Sequence, residues 1–224
     1  MVTIRSAVEE CPVKIKIGNL SLDGSLCVPT RARAIVIFAH GSGSSRLSPR
    51  NHFVARELRE GGLGTLLFDL LTKQEEDIDE YSAELRFNIR LLADRLAGAT
   101  EWIKDFAGAE EFKIGYFGAS TGAAAALTAA AEKPDMVKAV VSRGGRPDLA
   151  PDALPKVKAP TLLIVGGEDA PVIDMNLSAL RKLKTEKKME VIPGATHLFE
   201  EPGALEQVSQ LARDWFVKYL GVKG

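Results

Sequence analysis

The sequence predicts an α/β fold: one domain spanning residues 1–224, with a mostly parallel sheet of about eight strands and helices on both faces. Three observations predict it. Short apolar runs, several rich in β-branched residues, alternate with helix-period stretches along nearly the whole chain. No internal repeat, linker or shift in composition divides the sequence. With 224 residues, 46% hydrophobic and 26% charged, the chain is long and apolar enough for one sizeable core.

The first strands, Val13 to Ile17 and Leu20 to Val28, have their own rhythm, with Asp23-Gly24 between or within them. They read as an antiparallel entry to the sheet. Ala34 to Ala39 is a continuous apolar run, as in a strand buried on both faces. Ser48-Pro49 supplies an N-cap and a proline for the first helical turn, and Gly61-Gly62 ends that helix. Thr65 to Phe68 is the next strand. Thr72 to Glu84, with Glu75-Glu76-Asp77, reads as a solvated polar loop. Ile89, Leu92, Leu96, Ile103 and Phe106 keep helical spacing, with Gly98 as an irregularity among them. Strands at Lys113 to Phe117 and Lys138 to Val141 flank an Ala-rich helix from Gly122 to Glu132, which stops before Pro134. Thr161 to Val165 and Met189 to Ile192 are the last strands. Leu205, Val208, Leu211, Trp215 and Leu220 then mark a terminal amphipathic helix.

Composition excludes several function classes. Lys plus Arg number 29 against 30 Asp plus Glu, so the net charge of −1 leaves no footprint for nucleic acid or an anionic membrane. No apolar run approaches the ~18 residues of a membrane span. Met1 to Ser6 leads into Glu9-Glu10 without the apolar core of a signal peptide. Cys11 and Cys27 make no disulfide framework and read as small buried residues. The expectation is a soluble, cytoplasmic protein. No His/Cys/Asp cluster has metal-ligand spacing, so neither metal nor cofactor is expected.

Gly118-Ala119-Ser120-Thr121-Gly122 follows a predicted strand and precedes a predicted helix, the setting of a Gly-x-Ser-x-Gly nucleophile elbow. So tight a turn strains Ser120 and lifts its hydroxyl above the carboxyl edge of the sheet. A serine nucleophile needs a base. His40 closes a strand and is suited to holding a loop, and His52 falls early in a helix. His197 lies in the loop after the last strand, at the edge where Ser120 is expected. An acid is required to orient the base. Glu168 and Asp169 both follow the strand ending at Val165; Asp169 is preferred, and the order Ser120, Asp169, His197 is Ser–acid–His. Backbone N–H groups for an oxyanion would come from Thr121 and from the loop His40-Gly41-Ser42-Gly43-Ser44-Ser45. A phosphate-binding reading of that loop fails on the missing lysine and third glycine.

These four segments resemble the α/β-hydrolase superfamily and, more narrowly, its dienelactone-hydrolase-like branch, over nearly the whole chain. The resemblance implies Ser120 as nucleophile, Asp169 as acid, His197 as base, and N–H donors from Ser42 and Thr121. The enzymes that give the branch its name use cysteine where this chain has Ser120, which points to a serine carboxylesterase. Many members insert a helical lid between strands six and seven. Here Ser142 to Arg146 leads through Pro147, Pro151 and Pro155 to the next strand, too short a stretch for a lid domain. Arg46, Arg50, Arg143 and Arg146 fall near the same edge and suit an anionic substrate group. The expected activity is hydrolysis of a small-molecule carboxylic ester or lactone. An acyltransferase or small peptidase would use the same residues, and a non-catalytic ligand receptor is the rival from another class. Leu70 to Tyr81 is too acidic to form an apolar groove on this reading, so acetate to butyrate esters are expected to react best.

Overall fold

The computed structural model describes residues 10–105 and 112–221. The N-terminal hexapeptide and Phe106 lie outside them. Eight strands form one sheet: β1 (Cys11–Ile17), β2 (Leu20–Cys27), β3 (Ala34–Ala39), β4 (Gly64–Phe68), β5 (Lys113–Ala119), β6 (Val137–Arg143), β7 (Thr161–Gly166) and β8 (Lys187–Ile192). Their spatial order is β1-β2-β4-β3-β5-β6-β7-β8. β1 pairs antiparallel with β2, and β2 with β4; every other pairing is parallel. Asp23 and Gly24 lie within β2, where Gly24 faces Phe68 of β4.

The helices are α1 (Pro49–Glu60), α2 (Lys73–Ser82), α3 (Ile89–Asp105), α4 (Thr121–Glu132), α5 (Ala170–Lys182) and α6 (Ala204–Leu220). Strand periodicity sorts the core into two layers. Ile35 and Ile37 of β3 pack with Leu96 of α3 and Leu127 of α4, whereas Val36 and Phe38 meet Leu58 of α1 and Phe216 of α6. Both faces of the central strands are therefore buried, which is why they read as unbroken apolar runs.

Three expectations need correction. Thr72 to Glu84 is not a loop: Thr72 caps α2, its hydroxyl accepting from Glu75 N–H at 3.2 Å while the Glu75 carboxylate accepts from Thr72 N–H at 2.7 Å. Cys11 is exposed on β1, and only Cys27 is buried. Gly98 does not interrupt α3; a Cβ there would lie 2.6 Å from Ile17, so glycine lets the helix close onto β1. α5 goes unread in the sequence because its stripe is thin. Val172, Asn176 and Ala179 are its buried residues, and the middle one is polar.

The β6–β7 connection holds two single 3-10 turns, Pro147–Leu149 and Leu154–Lys156, that pack on α4 and α5. No helix among the described residues is long and apolar enough to cross a membrane. The order in which strands are added reverses at β3: β4 lies on one side of it and β5 on the other, all three parallel, which opens a crevice at their carboxyl ends.

Candidate active site

That crevice is where the sequence motifs meet. β5 delivers Ser120 to the N-cap of α4 with φ 50° and ψ −121°, a conformation costly to a residue with a Cβ. The turn closes because its glycines carry no side chain. A Cβ on Gly122 would lie 2.2 Å from the Ala39 carbonyl oxygen, and one on Gly118 would lie 2.5 Å from Ala123 Cα. Ser120 N–H donates to the Arg143 carbonyl at 3.1 Å, and the Ser120 carbonyl accepts from Arg146 N–H at 3.1 Å, so the exit of β6 braces the turn.

His197 arrives from the loop after β8. Its Nδ1–H donates to Asp169 Oδ2 at 2.6 Å, which leaves Nε2 as the acceptor facing the Ser120 hydroxyl at 3.4 Å. Asp169, at the N-cap of α5, meets the ring, whereas Glu168 beside it is exposed. Thr196 Oγ1–H donates to Glu201 at 2.6 Å and Arg50 Nη1–H to Glu200 at 2.8 Å, which ties this loop down and to α1.

The loop after β3, residues 40–45, hangs on the exit of β4. Buried His40 donates from Nδ1–H to the Gly41 carbonyl at 3.0 Å and accepts at Nε2 from Leu70 N–H at 3.1 Å. Burial pushes its imidazole below the ordinary value. Asp69 accepts from Arg46 N–H at 2.7 Å and pairs with the Arg46 guanidinium. Ser42 N–H donates to Thr121 Oγ1 at 2.9 Å, and Thr121 is the first residue of α4, where an N–H has no partner within the helix. His52 is half-buried on α1, with Nδ1 3.7 Å from Glu10.

The four arginines part company. Arg46 is held by Asp69, and Arg146 donates to Asp148 at 2.9 and 2.7 Å. Arg143 is buried with its guanidinium 6.0 Å from the Phe199 ring, and its Nε and Nη1 have no hydrogen-bond partner among the described residues. Burial, and then nearby Arg50, pull its pKa down to about 10. Arg50 alone of the four lines a cavity of about 490 Å³ that opens beside Ser42 and Thr121. Leu70, Leu71, Glu76 and Glu80 also line it, so the segment read as unable to form a groove supplies one. Asp69 went unnoticed in the sequence, although an acid one residue past a strand at this edge was the available signal. The capping box Thr72-x-x-Glu75 was likewise the signal for the cavity's second wall.

Set beside known proteins, the chain matches the model of the dienelactone hydrolase family over residues 22–219, and it belongs to that family. A dienelactone hydrolase from Anabaena variabilis is 60% identical, with a TM-score of 0.93 over 94% of this chain and 98% of that one. Est1E from Butyrivibrio proteoclasticus shares the fold at 17% identity, with a TM-score of 0.79 over 94% and 99% of the two chains. So does XC6422 from Xanthomonas campestris, described as a serine hydrolase without a lid, at 18% identity and a TM-score of 0.76 over 96% and 97%. A Mycobacterium tuberculosis protein provisionally named a phosphoribosyl transferase is 53% identical over 208 residues, which are 93% of this chain and 46% of that protein. The chain thus spans about half the length of the curated relatives it matches.

Proposed function

We propose that the protein is a serine hydrolase that cleaves a carboxylic ester or lactone through an acyl-enzyme on Ser120. The observation that carries this is the chain of contacts Ser120–His197–Asp169 at the crevice, beside backbone N–H groups of Ser42 and Thr121. Ser120 Oγ attacks the carbonyl carbon as its proton passes to His197 Nε2. The carbonyl oxygen becomes an oxyanion between the two N–H groups, and Asp169 holds the imidazolium that forms. As the bond to the alcohol oxygen breaks, His197 returns the proton to it. Water then attacks the acyl carbon, gives a proton to His197, and the acid leaves as Ser120 regains its hydrogen. In a lactone the released alcohol stays attached to the acid.

No step calls on a metal or cofactor. If the substrate carries an anion, Arg143 is the arginine to receive it, since Arg46 and Arg146 are each bound to an aspartate and Arg50 to Glu200. The transferase name belongs to relatives of which more than half lies outside the match. Neither Cys11 nor Cys27 is in a disulfide, which supports a reducing compartment and is in keeping with a cytoplasmic location.

An ester panel assayed against wild type, Ser120→Ala, Asp169→Asn and Glu168→Gln tests the reading. Ser120→Ala should lose on the order of 10⁴–10⁶ in kcat. Asp169→Asn should also be severe, by analogy with the loss of the correct tautomer when a triad acid is amidated. Glu168→Gln should stay within about threefold of wild type, as expected of an exposed carboxylate that does not reach the ring. Full activity in Ser120→Ala would refute the reading.

A further inference from the structure

The cavity beside the oxyanion loop has a direction relative to the reacting atoms, set by strand order. His197 comes from the exit of β8. Leu70 and Leu71 come from the exit of β4, on the far side of β3 and β5. Ser120 stands between them. In the reaction proposed above, the alcohol oxygen must sit at His197 Nε2 to receive its proton, and the carbonyl oxygen must sit at the Ser42 and Thr121 N–H groups. The remaining substituent of the carbonyl carbon is the acyl chain. It is left to point toward β4, into the cavity.

The walls match such an occupant. Leu70, Leu71 and Leu92 make an apolar floor, each almost wholly shielded from water. Leu47, on the rim, is 64% exposed and has no apolar cover. Three of the charged groups around the cavity are already engaged: Asp79 accepts from Arg86, which also lines it, and Arg50 donates to Glu200. Burial and neighbouring Asp69 hold the Glu76 carboxyl above its usual range. A wall carrying Glu76 and Glu80 repels a chain that ends in a carboxylate. At about 490 Å³ the space is within the range of pockets that enclose drug-sized ligands, far more than an acetyl group fills.

We propose that this cavity is an acyl pocket for uncharged aliphatic or arylalkyl acids of about six to eight carbons, and that the alcohol side of the substrate stays in the open near His197. The proposal rests on the serine-hydrolase reading and replaces the expectation that acetate to butyrate esters react best. Each methylene fully withdrawn from water is worth about fourfold in transition-state binding, so four partly buried methylenes should give on the order of 10- to 100-fold.

Isomeric esters separate the two sides of the carbonyl. The measured quantities are kcat/KM for methyl acetate, methyl hexanoate and hexyl acetate, in wild type and in Ser44→Phe, which places a ring in the cavity. Wild type should prefer methyl hexanoate over methyl acetate by about 10-fold or more, and hexyl acetate should gain less than about threefold. In Ser44→Phe the hexanoate preference should collapse toward unity while the hexyl acetate ratio holds. Should that variant lack a cooperative melt, Leu47→Asp provides the same reading from the exposed rim, with a carboxylate that lowers the hexanoate ratio. A flat acyl profile in wild type would overturn the pocket, as would variants that act on hexyl acetate instead. A small aryl phosphonate distinguishes the two levels of failure. An adduct on Ser120 with a flat profile removes the pocket alone; no adduct and no hydrolysis of any ester removes both proposals.

Discussion

Thr121 has two parts in the proposed oxyanion site. Its N–H opens α4 without a partner within the helix, and its hydroxyl accepts from Ser42 N–H at 2.9 Å. A substrate oxyanion is a stronger acceptor than a hydroxyl, so it should take Ser42 N–H from Thr121 Oγ1 as negative charge develops. On that account the hydroxyl keeps the donor satisfied and aimed until substrate arrives, and Thr121→Val should lower kcat by less than about tenfold. A loss on the order of 10²–10³, the size seen when an oxyanion donor is removed, would show that the hydroxyl itself donates to the transition state. At this scale the sequence was readable wherever a residue rides on a strand exit. Ser120, Asp169 and His197 all do, and their meeting follows from the parallel sheet. The Ser42–Thr121 bond joins residues 79 apart, and no local pattern announces it.

The loops at the carboxyl edge are held by buried polar anchors, and His40 is the one whose protonation matters. Its ring must stay neutral, because Nε2 accepts from Leu70 N–H while Nδ1–H serves the Gly41 carbonyl. Burial lowers its folded-state pKa from 6.5, whereas the unfolded chain protonates near that ordinary value. Between the two values the unfolded state binds more protons, so this contribution is fully present above about pH 6.5 and is lost as pH falls toward the folded-state value. The Tm of wild type should therefore drop between about pH 7.5 and pH 5.5, and His40→Gln should show a smaller drop over the same range. Equal drops in both proteins would assign the acid sensitivity to other groups. Element α2 shows where sequence patterns misled. Its surface is acidic and Asp79 is its one buried residue, so no apolar stripe betrays a helix. What holds it is polar: the Thr72 cap, Glu75 against Arg95 Nη2 at 2.6 Å, and Asp79 accepting from Leu85 N–H at 2.7 Å.

Across the whole molecule, the two-layer core was legible because burial on both faces writes itself as unbroken apolar strands. Ile35, Val36, Ile37 and Phe38 are each within 1% of full burial. The missing lid was legible too, since Pro147, Pro151 and Pro155 leave no room for long helices between β6 and β7. The cavity was not. It is assembled mainly from the loop after β3, the exit of β4, α2 and one leucine of α3, and acidity in one of those segments concealed its apolar floor. What the assembled molecule is proposed to do depends on one atom, Ser120 Oγ, being a nucleophile that His197 activates. Stoichiometric reaction with an aryl phosphonate, followed by intact mass and peptide mapping, tests this most directly. The account predicts one adduct per chain, located on Ser120, formed with matching release of the aryl alcohol, and absent from Ser120→Ala. An unmodified wild-type chain, or an adduct that persists in Ser120→Ala, would contradict it.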